Sequence, residues 1–115
     1  MKILNVASLP TFIPPKHNEV FIREICGPNT GCDKVAIGYA VMLANGGAEM
    51  HVHEASDHVF YVLAGELKVT DGKETHIVSA GQSLLVPAGE PHAVTGAGRM
   101  DCQYLNITTP PPVRK

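Results

Sequence analysis

Residues 49–58 read EMHVHEASDH, and residues 87–92 read PAGEPH. Three of the six histidines, His51, His53 and His58, fall in the first stretch, and His92 closes the second. Side chains alternate along a strand, so His51 and His53, two residues apart, share a face. The bend EASD at 54–57 ends that strand, and an antiparallel return opening at His58 brings a third ring beside the first two. The turn VPAGEP at 86–91 swings His92 in from elsewhere. Neutral imidazole is a common ligand for borderline divalent metals. Four imidazoles converging on one interior are therefore read as a metal site, with His51, His53, His58 and His92 as ligands. A carboxylate is the alternative to His58, either Glu49, which shares parity with His51 and His53, or Asp57, beside His58.

Working outward, the rest of the chain reads as strands and turns. Short runs rich in Val, Ile, Leu and Tyr are punctuated by 11 glycines and 9 prolines. Strands are predicted near 19–25, 35–44, 48–53, 58–63, 66–70, 74–79, 83–86, 92–95 and 101–108. Turns are predicted at GPNTG (27–31), NGG (45–47), DGK (71–73), AGQ (80–82) and GAG (96–98). Asp71-Gly72 is a strong two-residue hairpin signal. No window sustains a helical period over ten residues, and there are no internal repeats. The prediction is one all-β domain over 1–115, a sandwich or barrel whose closure removes most open edges, with an extended tail at 109–115.

Composition excludes several classes. A net charge of −2 gives no basic footprint for nucleic acid. No apolar run approaches the roughly 18 residues of a membrane span. The N-terminus MKILNVASLPTF is interrupted by Asn5 and Ser8 and does not read as a signal peptide, so a cytoplasmic location is expected. Three cysteines are too few for a disulfide framework. Cys26 and Cys32 read as two thiols flanking a hairpin end, with a disulfide or redox pair the alternative. Cys102, in an apolar run, reads as a small buried hydrophobe. His17 and His76 read as solvated and separate from the cluster.

The two histidine motifs resemble those of the cupin superfamily. Its first motif runs Gly, five residues, His, any, His, three or four residues, Glu, six residues, Gly. Here His51 and His53 are followed by four residues, His58, six residues and Gly65. Its second motif runs Gly, five residues, Pro, any, Gly, two residues, His, three residues, Asn. Here Gly81 is followed by five residues and then Pro87, Gly89 and His92. The motifs occupy 46–65 and 81–96. Three positions depart: His58 stands for the glutamate, Gly96 for the asparagine, and Gly46 lies one residue nearer than the opening glycine.

The resemblance implies an antiparallel jelly-roll β-barrel, a homodimer, and one divalent transition metal per chain in a four-histidine variant of the site. Nitrogen ligands point to Fe, Mn, Ni, Cu or Zn and away from Mg or Ca. Three histidines and a carboxylate leave about one net positive charge on a divalent ion, and four imidazoles leave about two, which favours an anionic small-molecule ligand. The activity implied is dioxygenase-type chemistry on a small organic acid, diketone or phenolic. A metal-assisted isomerase or lyase, a non-catalytic binding protein, or a structural metal are the alternatives. Glu49, Phe60, Tyr39, Gln103 and Tyr104, with Arg99, are the pocket candidates; alternation in 101–107 leaves open whether Gln103 or Tyr104 faces in.

Overall fold

The computed structural model describes residues 1–112. Eight strands follow one another: β1 (His17–Cys26), β2 (Ala36–His51), β3 (Asp57–Ala64), β4 (Glu66–Thr70), β5 (Thr75–Ser79), β6 (Ser83–Val86), β7 (His92–Gly96) and β8 (Cys102–Thr109). The described residues otherwise contain only two single-turn 3₁₀ segments, Val6–Ser8 and Pro28–Thr30. All pairings are antiparallel, in the order β5-β4-β7-β2-β8-β3-β6, with β1 added to β2. The sheet curls into a nearly closed barrel, the predicted cupin jelly roll. No helix among the described residues is long and apolar enough to cross a membrane.

Period-two alternation sets the inner face. Phe60 and Val62 of β3, Leu67 and Val69 of β4, Val94 of β7, and Cys102 and Tyr104 of β8 are buried, while Tyr61, Lys68 and Gln103 between them are exposed. Burying that apolar face is the main driving force for closure. Val20 and Ile22 of β1, Ala40, Met42 and Ala48 of β2, Val78 of β5 and Val86 of β6 complete the core. The inner face of β3 and β8 runs on from hydrophobic to polar, through His58, Asn106 and Thr108, toward one end of the barrel.

Two turn predictions need correction. NGG at 45–47 is not a turn: 35–44 and 48–53 largely merge into the single long β2. That strand pairs with β8 over 36–42 and with β7 over 47–51, so it passes from one half of the barrel to the other. The glycines serve close approach instead. A Cβ on Gly46 would lie 2.6 Å from the Glu19 carbonyl oxygen, and one on Gly47 2.8 Å from that of Val94. The DG hairpin forms, but residues 71–74 make the connection, closed by the Lys73 and Glu74 N–H groups donating to Asp71 Oδ1 at 2.8 Å each. The start of the tail is tied to the barrel. Ser56 Oγ donates to the Pro110 carbonyl at 2.6 Å, while 113–115 lie outside the described residues.

Candidate metal centre

His51 ends β2 and His92 opens β7, and antiparallel register sets them directly opposite, with ring centroids 4.4 Å apart. His53 lies just beyond β2. Its backbone carbonyl accepts from Gly89 N–H at 2.8 Å, tying the first motif to the second, and its ring is 5.0 Å from that of His51 and 5.6 Å from that of His92. One nitrogen from each of His51, His53 and His92 falls in a group spanning no more than 4.8 Å. A common ion can be shared at that separation.

Protein hydrogen bonds fix which nitrogens are offered. A carbonyl oxygen only accepts, so the Nδ1–H of His51 donates to Glu49 O at 2.6 Å and that of His92 to Glu90 O at 3.1 Å. Each Nε2 is left with its lone pair, the tautomer that metal-binding histidines ordinarily adopt. His53 Nε2 and His92 Nε2 are buried without a hydrogen-bond partner among the described residues. Buried polar atoms are rarely orphaned, and a divalent ion would satisfy both. Burial, then the neighbouring imidazoles of His51 and His92, pulls His53 down to about 4. Burial also lowers His92, against the pull of the Glu90 carbonyl. Both rings are held neutral near pH 7, as ligation requires. The residues fit a transition metal.

His58 is placed beside this trio. Its ring is 5.0 Å from that of His53 and 5.4 Å from that of His92, and it stacks on Phe60 at 4.4 Å. Its Nε2–H donates to Asn106 Oδ1, and its Nδ1 is buried without a partner. Burial and then His53 and His92 lower its pKa to about 3. Neither alternative carboxylate enters the cluster. Glu49 is exposed and contributes through its backbone, whereas exposed Asp57 accepts the Ala88 N–H at 2.9 Å and steadies the turn before His92.

A cavity of about 100 Å³ opens onto His51, His53 and His58. Its remaining lining differs from prediction. Tyr39 and Gln103 bond to each other at 2.6 Å on the outer face, Arg99 is exposed in the turn before β8, and Tyr104 is buried against Phe60 in the core. None of these, nor Glu49 or Phe60, lines the cavity. Asn106 does, and so do Phe12, His17, Ile22 and Glu24 of the N-terminal arm. His17 is thus not a solvated bystander: its ring is 5.8 Å from His51, and burial lowers its pKa. His76 is exposed on β5, 3.7 Å from Glu74. Position parity, once Tyr104 is known to face in, would have found Asn106; PKHNEV at 15–20 carries no signal for His17. Cys26 and Cys32 are free and half-buried, with the two thiols in contact.

Comparison with known proteins agrees with this geometry. The chain is 33% identical over 92 residues to the uncharacterized protein YdbB of Bacillus subtilis (strain 168), covering 79% of this chain and 74% of that one. Among solved structures it resembles the polyketide cyclase RemF of Streptomyces resistomycificus, with a TM-score of 0.86 and 24% identity over 99% of this chain and 82% of that one. It also resembles a predicted oxalate decarboxylase of Thermotoga maritima, with a TM-score of 0.83 and 16% identity over 96% of this chain and 100% of that one. Residues 38–108, which include both histidine motifs, match the cupin domain model. The chain belongs to the cupin family.

Proposed function

We propose that the protein is a metal-dependent enzyme that holds one divalent transition metal (Fe, Mn, Ni, Cu or Zn) and performs dioxygenase-type chemistry on a small organic acid, diketone or phenolic. The observation that carries this is the group of three imidazole nitrogens within 4.8 Å beside a cavity rather than in a sealed core. A structural zinc site is ordinarily closed by four protein ligands, whereas a catalytic one keeps a position open. His51, His53 and His92 hold the ion. His58 is the fourth ligand in this reading, through the Nδ1 that has no partner among the described residues while its Nε2–H stays on Asn106 Oδ1, and a six-coordinate ion then keeps positions open.

When bound, the metal supplies Lewis acidity to a coordinated oxygen and, if redox-active, a route to O₂. The chain's own residues orient the ligand. Glu49 and Glu90 carbonyls lock the imidazoles of His51 and His92, and Phe60 backs His58. Phe12, Ile22 and Ile37 form an apolar wall that excludes water from one side of the ligand. The likeness to a polyketide cyclase and a predicted oxalate decarboxylase supports a second reading, isomerase or lyase chemistry at the same centre without O₂. Exposed Tyr61, Leu63 and Leu85 on β3 and β6 support a homodimer joined through the outer face, checked by scattering mass.

The test is oxygen uptake and product mass across a panel of diketones, catechols and small acids, with metal content measured on protein purified without chelator. Stoichiometric transition metal with O₂-dependent turnover is expected. Turnover without O₂ selects the second reading, and binding without turnover leaves a ligand-binding cupin. Protein devoid of metal that also fails to take up any of these metals overturns the site itself.

A further inference from the structure

We propose that His17 is a ligand-binding residue that accepts a hydrogen bond from a hydroxyl of the bound molecule. The arm carrying it thereby selects a neutral or singly charged hydroxy compound, such as a phenol or enol, over a dicarboxylate. The proposal rests on the open metal centre proposed above and narrows its ligand class.

The first support is a shared orienting device. His17 Nδ1–H donates to the Pro15 carbonyl at 2.8 Å, two residues back, just as His51 donates to Glu49 and His92 to Glu90. The bond fixes the tautomer and leaves a lone pair on Nε2. Yet His17 is not in the group of nitrogens close enough to share an ion. It lines the same cavity, its ring tilted 46° to that of His51. An oriented imidazole beside the metal set, with a free lone pair, is an acceptor for a ligand's O–H.

The charge of the lining is the second support. Glu24 is the one acid among the described lining residues, and it accepts the Asn29 N–H at 2.8 Å; the described lining contains no Lys or Arg. A dicarboxylate bound to the metal through one end would bring its second charge to a wall of apolar groups, a neutral imidazole lone pair and a carboxylate. An unpaired charge there is costly. A hydroxyl, by contrast, finds an acceptor, and an apolar ring finds Phe12 and Ile22. These arm residues precede 38–108, the region matched to the cupin domain.

Cobalt-loaded protein provides the test, since its visible spectrum reports ligands at the metal. Azide probes the metal alone, catechol keeps one hydroxyl proton when bound as the monoanion, and succinate, too long to close a tight chelate, carries a second charge and no donor. Catechol should bind tighter than succinate. His17→Phe should weaken catechol by roughly three- to ten-fold, the range of one hydrogen bond. Azide affinity and cobalt stoichiometry should stay as in the parent. His17→Gln, whose amide oxygen accepts, should recover part of the loss, and it replaces the Phe variant if that fails to fold. Unchanged catechol affinity in both variants overturns the proposal. So does parallel weakening of azide and catechol, which would place His17 in the metal centre. If neither azide nor catechol perturbs the parent spectrum, the open-site reading fails instead.

Discussion

The strands from β2 to β8 and the arm ahead of them build opposite walls of one cavity by different means. In the barrel, ligand placement follows from pairing: register sets His51 across from His92, and Gly89 N–H ties down His53. The arm is laddered only in part: His17, Ile22 and Glu24 sit in β1 and pair with β2, whereas Phe12 lies ahead of that strand. Residues 1–16 are mostly irregular, held by a bridge between Phe12 and Ile22, by Arg23 Nε donating to the Leu9 carbonyl, by Lys2 Nζ donating to the Thr30 carbonyl and by Glu49 N–H donating to the Lys16 carbonyl. Register between β2 and β7 carries the metal geometry, whereas the segment ahead of β1 lies outside that ladder. The centre and part of its wall are thereby held separately.

The largest test of that separation is removal of a barrel ligand. His51→Ala or His92→Ala should cost at least ~100-fold in metal affinity, since even partners behind a ligand are worth 10–100-fold. Metal analysis after dialysis reads this directly, and retention of stoichiometric metal by both variants would break the comparison. Next in size is acid sensitivity of the metal-free protein. His53 and His58 are held at about 4 and about 3 against an ordinary 6.5, chiefly by burial. Between about pH 6.5 and 4 the unfolded chain takes up protons that the folded chain refuses, so stability falls as pH falls. The loss should be on the order of a few kcal/mol, tempered at His53 by its partial exposure. Urea midpoints at pH 7.5 and 5 measure it, and a flat profile contradicts it. Bound metal should deepen the dependence, because protons then compete with the ion.

Where arm and barrel meet, the joint itself can be tested. β1 crosses β2 with a register irregularity between Asn18 and Val20, and Glu19 there has a φ of 51°. Gly46 fills the space opposite, with the Glu19 and Asn18 carbonyls 2.6 and 3.0 Å from where a Cβ would sit. Gly46→Ala should destabilise by ~1–3 kcal/mol, an overpacking cost against backbone that cannot swing aside. Thermal unfolding measures it; an unchanged midpoint means the arm is looser at this joint than its pairing implies.

Much of the barrel could be read in advance because alternation and turn chemistry are local. The runs HVFYVL and ELKVT announce their buried faces, and the spacing of two motifs points to the histidines. NGG misled because glycine serves close backbone approach as well as turning, and only the carbonyls of Glu19 and Val94, distant in sequence, decide between them. The cavity wall was illegible for a related reason. Asn106 follows from parity only after Tyr104 is placed, since Leu105 and Ile107 make the other face look equally apolar. His17 enters through β1 pairing with β2, His17 opposite Ala48, a long-range fact without a local pattern.

The smallest expected effect concerns Asp57, which by sequence is as credible a metal ligand as Glu49. Its Oδ1 accepts the Ala88 N–H at 2.9 Å, and its backbone pairs opposite Thr109 in β8. The side chain is exposed, and the turn it steadies is the one that delivers His92. A role as acceptor and a role as ligand differ in what the isosteric amide can replace. Asp57→Asn keeps an oxygen for Ala88 N–H but discards the negative charge, so stability and metal affinity should both stay close to the parent. Asp57→Ala leaves the N–H to water in an exposed turn and should cost no more than about 1 kcal/mol, with metal affinity falling only as far as the loosened turn misplaces His92. A ligand role predicts the reverse order of sensitivity, with Asp57→Asn losing metal while the fold stays intact. Paired thermal midpoints and metal titrations on these two variants separate a turn that aims a ligand from a residue that is one.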